Sequence, residues 1–192
     1  MHRPGMDNAM QNVCKALATA GIIAFGTDEY HAGTLKPEDV TDATIFQDFS
    51  DVLRFAQAQR NVDGKRLGVL GFCMGGRHAY LAAARYREIK AAVSYYGFPA
   101  TGKDASDTPI ELIESFKCPV LAIFGKQDHL FPFSAVEAFS GRLLSASKMN
   151  EVLVFEEAGH GFLNPFGQRY HEKSAEESWK GCIDFFRKHL TV

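Results

Sequence analysis

No run of apolar residues in the chain approaches the roughly twenty that a helix needs to cross a bilayer, so the sequence offers no spanning helix. The opening residues, Met-His-Arg-Pro-Gly-Met-Asp, lack the apolar core of a secretory signal. An excess of one charge is missing too. Lys and Arg number 21 against 23 Asp and Glu, leaving a net charge of −2, so no basic field draws the protein to nucleic acid or anionic lipid. Cysteine is scarce, with four residues at Cys14, Cys73, Cys118 and Cys182. They stand far apart, with no C-x-x-C and no paired histidine spacing. That argues against a disulfide framework or a zinc site and fits a reducing cytoplasm. Phosphate-cradling and zinc-protease signatures are also absent: there is no Walker loop, no G-x-G-x-x-G and no H-E-x-x-H. Neither nucleic acid nor a membrane is therefore an expected partner.

What is present is an ordinary globular balance of 46% hydrophobic and 23% charged residues, with sixteen Phe to fill a core. The 192 residues suit one domain, residues 1–192. Strand-like and helix-like segments alternate. Asp7 is placed to cap a helix with Met10, Val13, Cys14 and Leu17 on one face, closed by Gly21. Short apolar runs at 22–25, 66–72, 91–96, 119–124 and 151–155 read as five buried strands. Amphipathic stretches at 42–59, 134–144 and 174–190, and an alanine-rich one running to Tyr86, read as helices. The fold class is therefore α/β, a three-layer arrangement of a mostly parallel sheet with helices on both faces.

The strongest chemical signal is Gly71-Phe72-Cys73-Met74-Gly75, a G-x-nucleophile-x-G run between a strand and a helix. A nucleophile on so sharp a turn is pushed clear of the sheet, and small residues on either side let the backbone close. The new helix points its N-terminus at Cys73, which favours the thiolate, and places the Met74 N–H to hold an oxyanion. On its own, G-x-C-x-G also describes an inert buried thiol. A thiol nucleophile needs a base, and the base an orienting acid. Asp128 follows the strand that ends at Phe124, and His160 follows the one that ends at Phe155. Nucleophile, acid and base thus sit in that order at successive strand ends. Glu156 and Glu157 are rival acids. His129 reads as loop or pocket lining and His78 as packing or surface.

With these residues in view, the sequence resembles the dienelactone hydrolase family of the α/β-hydrolase superfamily. The matching segments are Gly71-Phe72-Cys73-Met74-Gly75-Gly76, Ser94-Tyr95-Tyr96-Gly97, Phe124-Gly125-Lys126-Gln127-Asp128-His129-Leu130-Phe131-Pro132 and Gly159-His160-Gly161-Phe162. The resemblance implies a Cys73–Asp128–His160 triad, free of metal and cofactor, that hydrolyses small esters or lactones through an acyl-thioester. It makes the Arg3 N–H the second oxyanion donor beside that of Met74. His2, Tyr30, Phe72, Tyr96, Phe131 and Phe162 become pocket walls.

Three departures accompany it. The family carries more sheet upstream, and by its usual strand order a strand is missing between 22–25 and 66–72. Either those two segments pair directly, or a partner chain fills the gap, or the chain is N-terminally short. His2 stands where the family has a glutamate facing the thiol. His31, Ala32 and Asn164 stand where carboxylate-binding arginines are expected, with Arg77 and Arg169 as alternative cations. A second reading follows from the gap: a non-catalytic scaffold that binds or assembles, for instance as a homodimer through the sheet edge.

Overall fold

The computed structural model describes residues 6–36, 39–100 and 108–190. Four strands form one parallel sheet: Leu67–Phe72 (β1), Ile89–Tyr95 (β2), Val120–Gly125 (β3) and Glu151–Phe155 (β4). They lie side by side in the order β1-β2-β3-β4. The helices are Asn8–Thr19 (α1), Asp42–Gln57 (α2), Met74–Arg85 (α3), Pro109–Leu112 (α4), Phe133–Ala146 (α5) and Glu172–Leu190 (α6). Each strand of the sheet was legible as an apolar run, and observed ends fall within one or two residues of the expected ones, the ordinary slack of helix and strand termini.

Alternation along the strands divides the core. Leu121 and Ile123 face α1 and α6, among Met10, Leu17, Ile183 and Phe186. Val120, Ala122 and Phe124 face α3 and α5, among Ala79, Tyr80, Val136 and Phe139. This is the two-residue period of a pleated strand packed on both faces. Helix α1 begins as expected, with the Asp7 carboxylate accepting from the Met10 N–H at 3.0 Å, and Gly21 beyond its end adopts φ +84°. The α2 start carries a capping box between Thr41 and Thr44.

The expected fifth strand at 22–25 is corrected by the structure. That segment joins no ladder, and Ile23 and Phe25 are 48% and 38% exposed. Its direct pairing with β1 does not occur. A strand needs a neighbour at hydrogen-bonding distance, and here a cavity of about 410 Å³ intervenes. Ile22 to Thr27 line one wall and Leu67 to Leu70 the other, with side chains of α1, α2 and α6 closing the space. Propensity without a partner leaves a coil.

A buried ion pair and a buried histidine–carboxylate contact fasten α3. Arg77 donates twice to the Asp42 carboxylate, at 2.6 and 2.8 Å. His78 Nδ1 lies 3.1 Å from a Glu29 carboxylate oxygen. Arg77 and His78 are both nearly inaccessible, so Arg77 holds the scaffold rather than a ligand, and His78 is an interior residue rather than a surface one.

Candidate active site

The turn from β1 into α3 has the form its glycines demand. Cys73 adopts φ 56° and ψ −118°, a left-handed conformation that costs a non-glycine residue about 1–3 kcal/mol. Closure requires bare backbone on both sides. A Cβ on Gly71 would stand 1.8 Å from the Gly75 carbonyl oxygen, and one on Gly76 would meet the Gly97 Cα at 2.8 Å. The bend is pinned by the Cys73 N–H donating to the Tyr95 carbonyl at 3.0 Å and the Arg77 N–H donating to the Cys73 carbonyl at 3.2 Å. Met74 is the first residue of α3, so its N–H is among those the helix leaves unpaired.

Asp128 and His160 lie on the loops after β3 and β4, and those loops are zipped together as the strands are. The Lys126 N–H donates to the Phe155 carbonyl and the Gln127 N–H to the Ala158 carbonyl, both at 2.9 Å. Gly125 permits the approach, since a Cβ there would lie 2.3 Å from the Ala158 carbonyl oxygen. The outcome is a 2.7 Å contact between His160 Nδ1 and Asp128 Oδ2. An ionised carboxylate only accepts, so Nδ1 carries the proton. The other Asp128 oxygen accepts from the Leu130 N–H at 2.9 Å.

His160 Nε2 is buried and makes no hydrogen bond of ordinary geometry. Burial pushes the imidazole pKa down. The hydrogen bond to Asp128 and the neighbouring Cys73 push it up and prevail, raising it from 6.5 to about 9. The structure thus brings all three sequence-identified residues together.

Aromatic rings surround the imidazole: Tyr96 at 4.9 Å, Phe98 at 6.0 Å, His129 at 6.2 Å and Phe131 at 6.3 Å between centroids. Tyr96 has φ 39° and is almost wholly buried. Burial, then the charges of Cys73 and Asp128, push its hydroxyl pKa upward, so it stays neutral.

Two expected pocket walls are corrected. Phe72 and Phe162 are 2% and 0% exposed and pack into the core with Tyr95 and Tyr96. They support the site from behind. Tyr30 is half-buried in the turn that precedes His31. His2 and Arg3 lie outside the described residues. Glu156 is engaged by Lys126 at 2.8 Å and Glu157 lies 3.7 Å from His171, so neither competes with Asp128 for His160. Phe98, the residue after the Ser94-Tyr95-Tyr96-Gly97 segment, was not expected at the site. Among the described residues no group of three or more His, Cys, Asp or Glu is arranged to hold a metal ion, and no helix is long and apolar enough to cross a membrane.

Comparison with known proteins places this geometry in context. A family model described as the dienelactone hydrolase family matches residues 3–190. The chain is similar to a "Carboxymethylenebutenolidase" of Rhodococcus opacus, with 32% identity over 200 residues, 98% of this chain and 79% of that protein. It is similar to a "Putative carboxymethylenebutenolidase" of Escherichia coli, 29% identical over 202 residues, 96% of this chain and 73% of that protein. Among solved structures, a "Putative Dienelactone Hydrolase" from Klebsiella pneumoniae superposes with a TM-score of 0.86 at 28% identity, covering 96% of this chain and 83% of that one.

Proposed function

The chain belongs to the dienelactone hydrolase family, and from that premise we propose that it hydrolyses small esters or lactones with Cys73 as nucleophile, His160 as acid and base, and Asp128 as the residue that orients His160. One observation carries the reading: the Asp128 carboxylate fixes Nδ1 at 2.7 Å, while Nε2 stays unbonded beside a thiol on a left-handed turn.

With its pKa near 9, the imidazole rests protonated at neutral pH, and the attacking form of the nucleophile is the thiolate. Cys73 Sγ attacks the acyl carbon, and the Met74 N–H supports the oxyanion. The carbon–oxygen bond breaks, and the Nε2 proton passes to the leaving oxygen. The neutral imidazole then takes a proton from water, whose oxygen attacks the thioester and frees the acid and the thiolate. Asp128 keeps the ring in one tautomer throughout.

Cys73→Ala tests this directly. Turnover of an activated ester is expected to fall by about 10³-fold or more, with the fold retained by circular dichroism. Turnover equal to wild type would refute the assignment. An intact wild-type protein with no ester turnover at all would favour the scaffold reading instead.

A further inference from the structure

We infer that Phe98, backed by Phe131, receives the leaving group of the substrate and selects aryl esters over alkyl ones. This rests on the hydrolase reading above and adds a substrate class to it.

Whatever ester binds, its leaving oxygen must come within hydrogen-bond reach of His160 Nε2, because that is where its proton originates. The atoms attached to that oxygen therefore lie against whatever surrounds the imidazole. On the side of β2, the bend at Tyr96 delivers Phe98 to a centroid distance of 6.0 Å from His160. On the side of β3, Phe131 reaches the same imidazole at 6.3 Å. The two phenyl rings meet each other edge to face, at 5.6 Å and 70°, and Phe124 braces Phe131 from the core at 6.2 Å.

Exposure separates their roles. Tyr96 and Phe131 are 4% and 9% exposed, so they are committed to the interior. Phe98 is only half-buried and stands beside the base. A flat apolar group stacks or abuts such a ring with a preference that an alkyl chain of similar reactivity does not share.

In the proposed step, Cys73 Sγ bonds to the acyl carbon as its bond to the aryl oxygen breaks. The departing phenolate takes the Nε2 proton and leaves as a phenol. Water then resolves the thioester to the carboxylic acid.

The test uses the full chain with two acetate esters of one acyl group, phenyl acetate and 2,2,2-trifluoroethyl acetate, the second activated without a ring. Phe98→Ala is expected to lower the phenyl-to-trifluoroethyl ratio of kcat/KM about tenfold, mainly through KM. Phe98→Tyr, which keeps the ring, should hold the ratio within about twofold of wild type. If Phe98→Ala does not fold, Phe98→Leu carries the same expectation. An unchanged ratio in a folded variant overturns the inference. So does an equal loss on both esters, which would make Phe98 a support for His160. Either result leaves the hydrolase reading standing as long as Cys73→Ala abolishes turnover. Turnover that survives Cys73→Ala sinks that reading separately.

Discussion

The two sides of this sheet are built to different standards. β1 and β4 are both edges of the sheet, but between β3 and β4 the ladder continues past the strand ends into the loops that carry Asp128 and His160. Beyond β1, by contrast, the segment at 22–27 faces the sheet edge across a cavity of about 410 Å³. The acid and base are therefore held by backbone geometry that packing over-determines. Cys73 straddles the two sides: it leaves the edge strand, yet its turn is pinned to β2 through the Tyr95 carbonyl. Precise alignment of a triad requires that the segments bearing it be held, and on this closed side backbone hydrogen bonds join the Asp128 and His160 loops and pin the Cys73 turn to β2.

The sharpest way to challenge the closed side is to leave its shape intact and remove one charge. Asp128→Asn keeps the side-chain volume but no longer guarantees a proton on Nδ1. A loss in kcat on the order of 10³–10⁴-fold is expected. The pH profile distinguishes this from a general disturbance. Wild-type kcat/KM on an ester with a poor leaving group should decline as pH rises through about 9, where His160 loses its proton. The hydrogen bond and charge of Asp128 help to raise that value, so the decline should begin at lower pH in the variant. The linkage has a sign as well. Folding raises the His160 pKa, so its stabilisation is complete below the unfolded value of 6.5 and fades as pH climbs through about 9. An unmoved alkaline limb in Asp128→Asn would break the assignment of Asp128.

Much of this was legible beforehand, and the exceptions share a cause. The elbow, the acid loop and the base loop each carry local chemistry: glycines where backbones approach, a carboxylate or imidazole just past a strand end. Their meeting follows from strand order. The segment at 22–25 misled because β propensity is a property of residues, whereas a strand is a property of pairs. Glu29 with His78 and Asp42 with Arg77 were unreadable for the same reason, since the partners lie 49 and 35 residues apart. Phe98 directly follows the Ser94-Tyr95-Tyr96-Gly97 segment, but only the bend at Tyr96 brings it to His160. Phe72 and Phe162 lie close to catalytic residues in the chain, but their rings pack into the core, Phe72 from the end of β1 and Phe162 from the turn after His160.

A pair of isoleucines measures the contrast in packing. Ile123 in β3 is 0% exposed, whereas Ile23 on the open side is 48% exposed. Ile123→Ala should cost about 2–5 kcal/mol in chemical denaturation, the sum of lost transfer energy and a residual cavity. Ile23→Ala should cost less than about 1 kcal/mol, because water already reaches the side chain. Comparable losses at the two positions would mean that the open side is packed in solution.

A pair of glycines gives the smallest and most discriminating effect, because each ends an extended segment at the same kind of exit. At Gly125 a Cβ meets the Ala158 carbonyl oxygen at 2.3 Å and its carbon at 2.6 Å. Both are backbone atoms within a ladder and cannot withdraw without moving the His160 loop. Gly125→Ala should cost about 1–3 kcal/mol and depress activity along with stability. At Gly26 the nearest atoms are Met6 Cε at 2.7 Å and Sδ at 3.0 Å. They belong to a flexible side chain that is 37% exposed and free to rotate away. No left-handed φ is required of Gly26, so alanine also reduces the freedom of the unfolded chain. Gly26→Ala should therefore shift the denaturation midpoint by no more than the equivalent of about 0.5 kcal/mol in either direction, with kcat unchanged. A loss at Gly26 as large as that at Gly125 would show that the wall of the cavity is held as tightly as the catalytic loops, and the contrast between the two sides would fail.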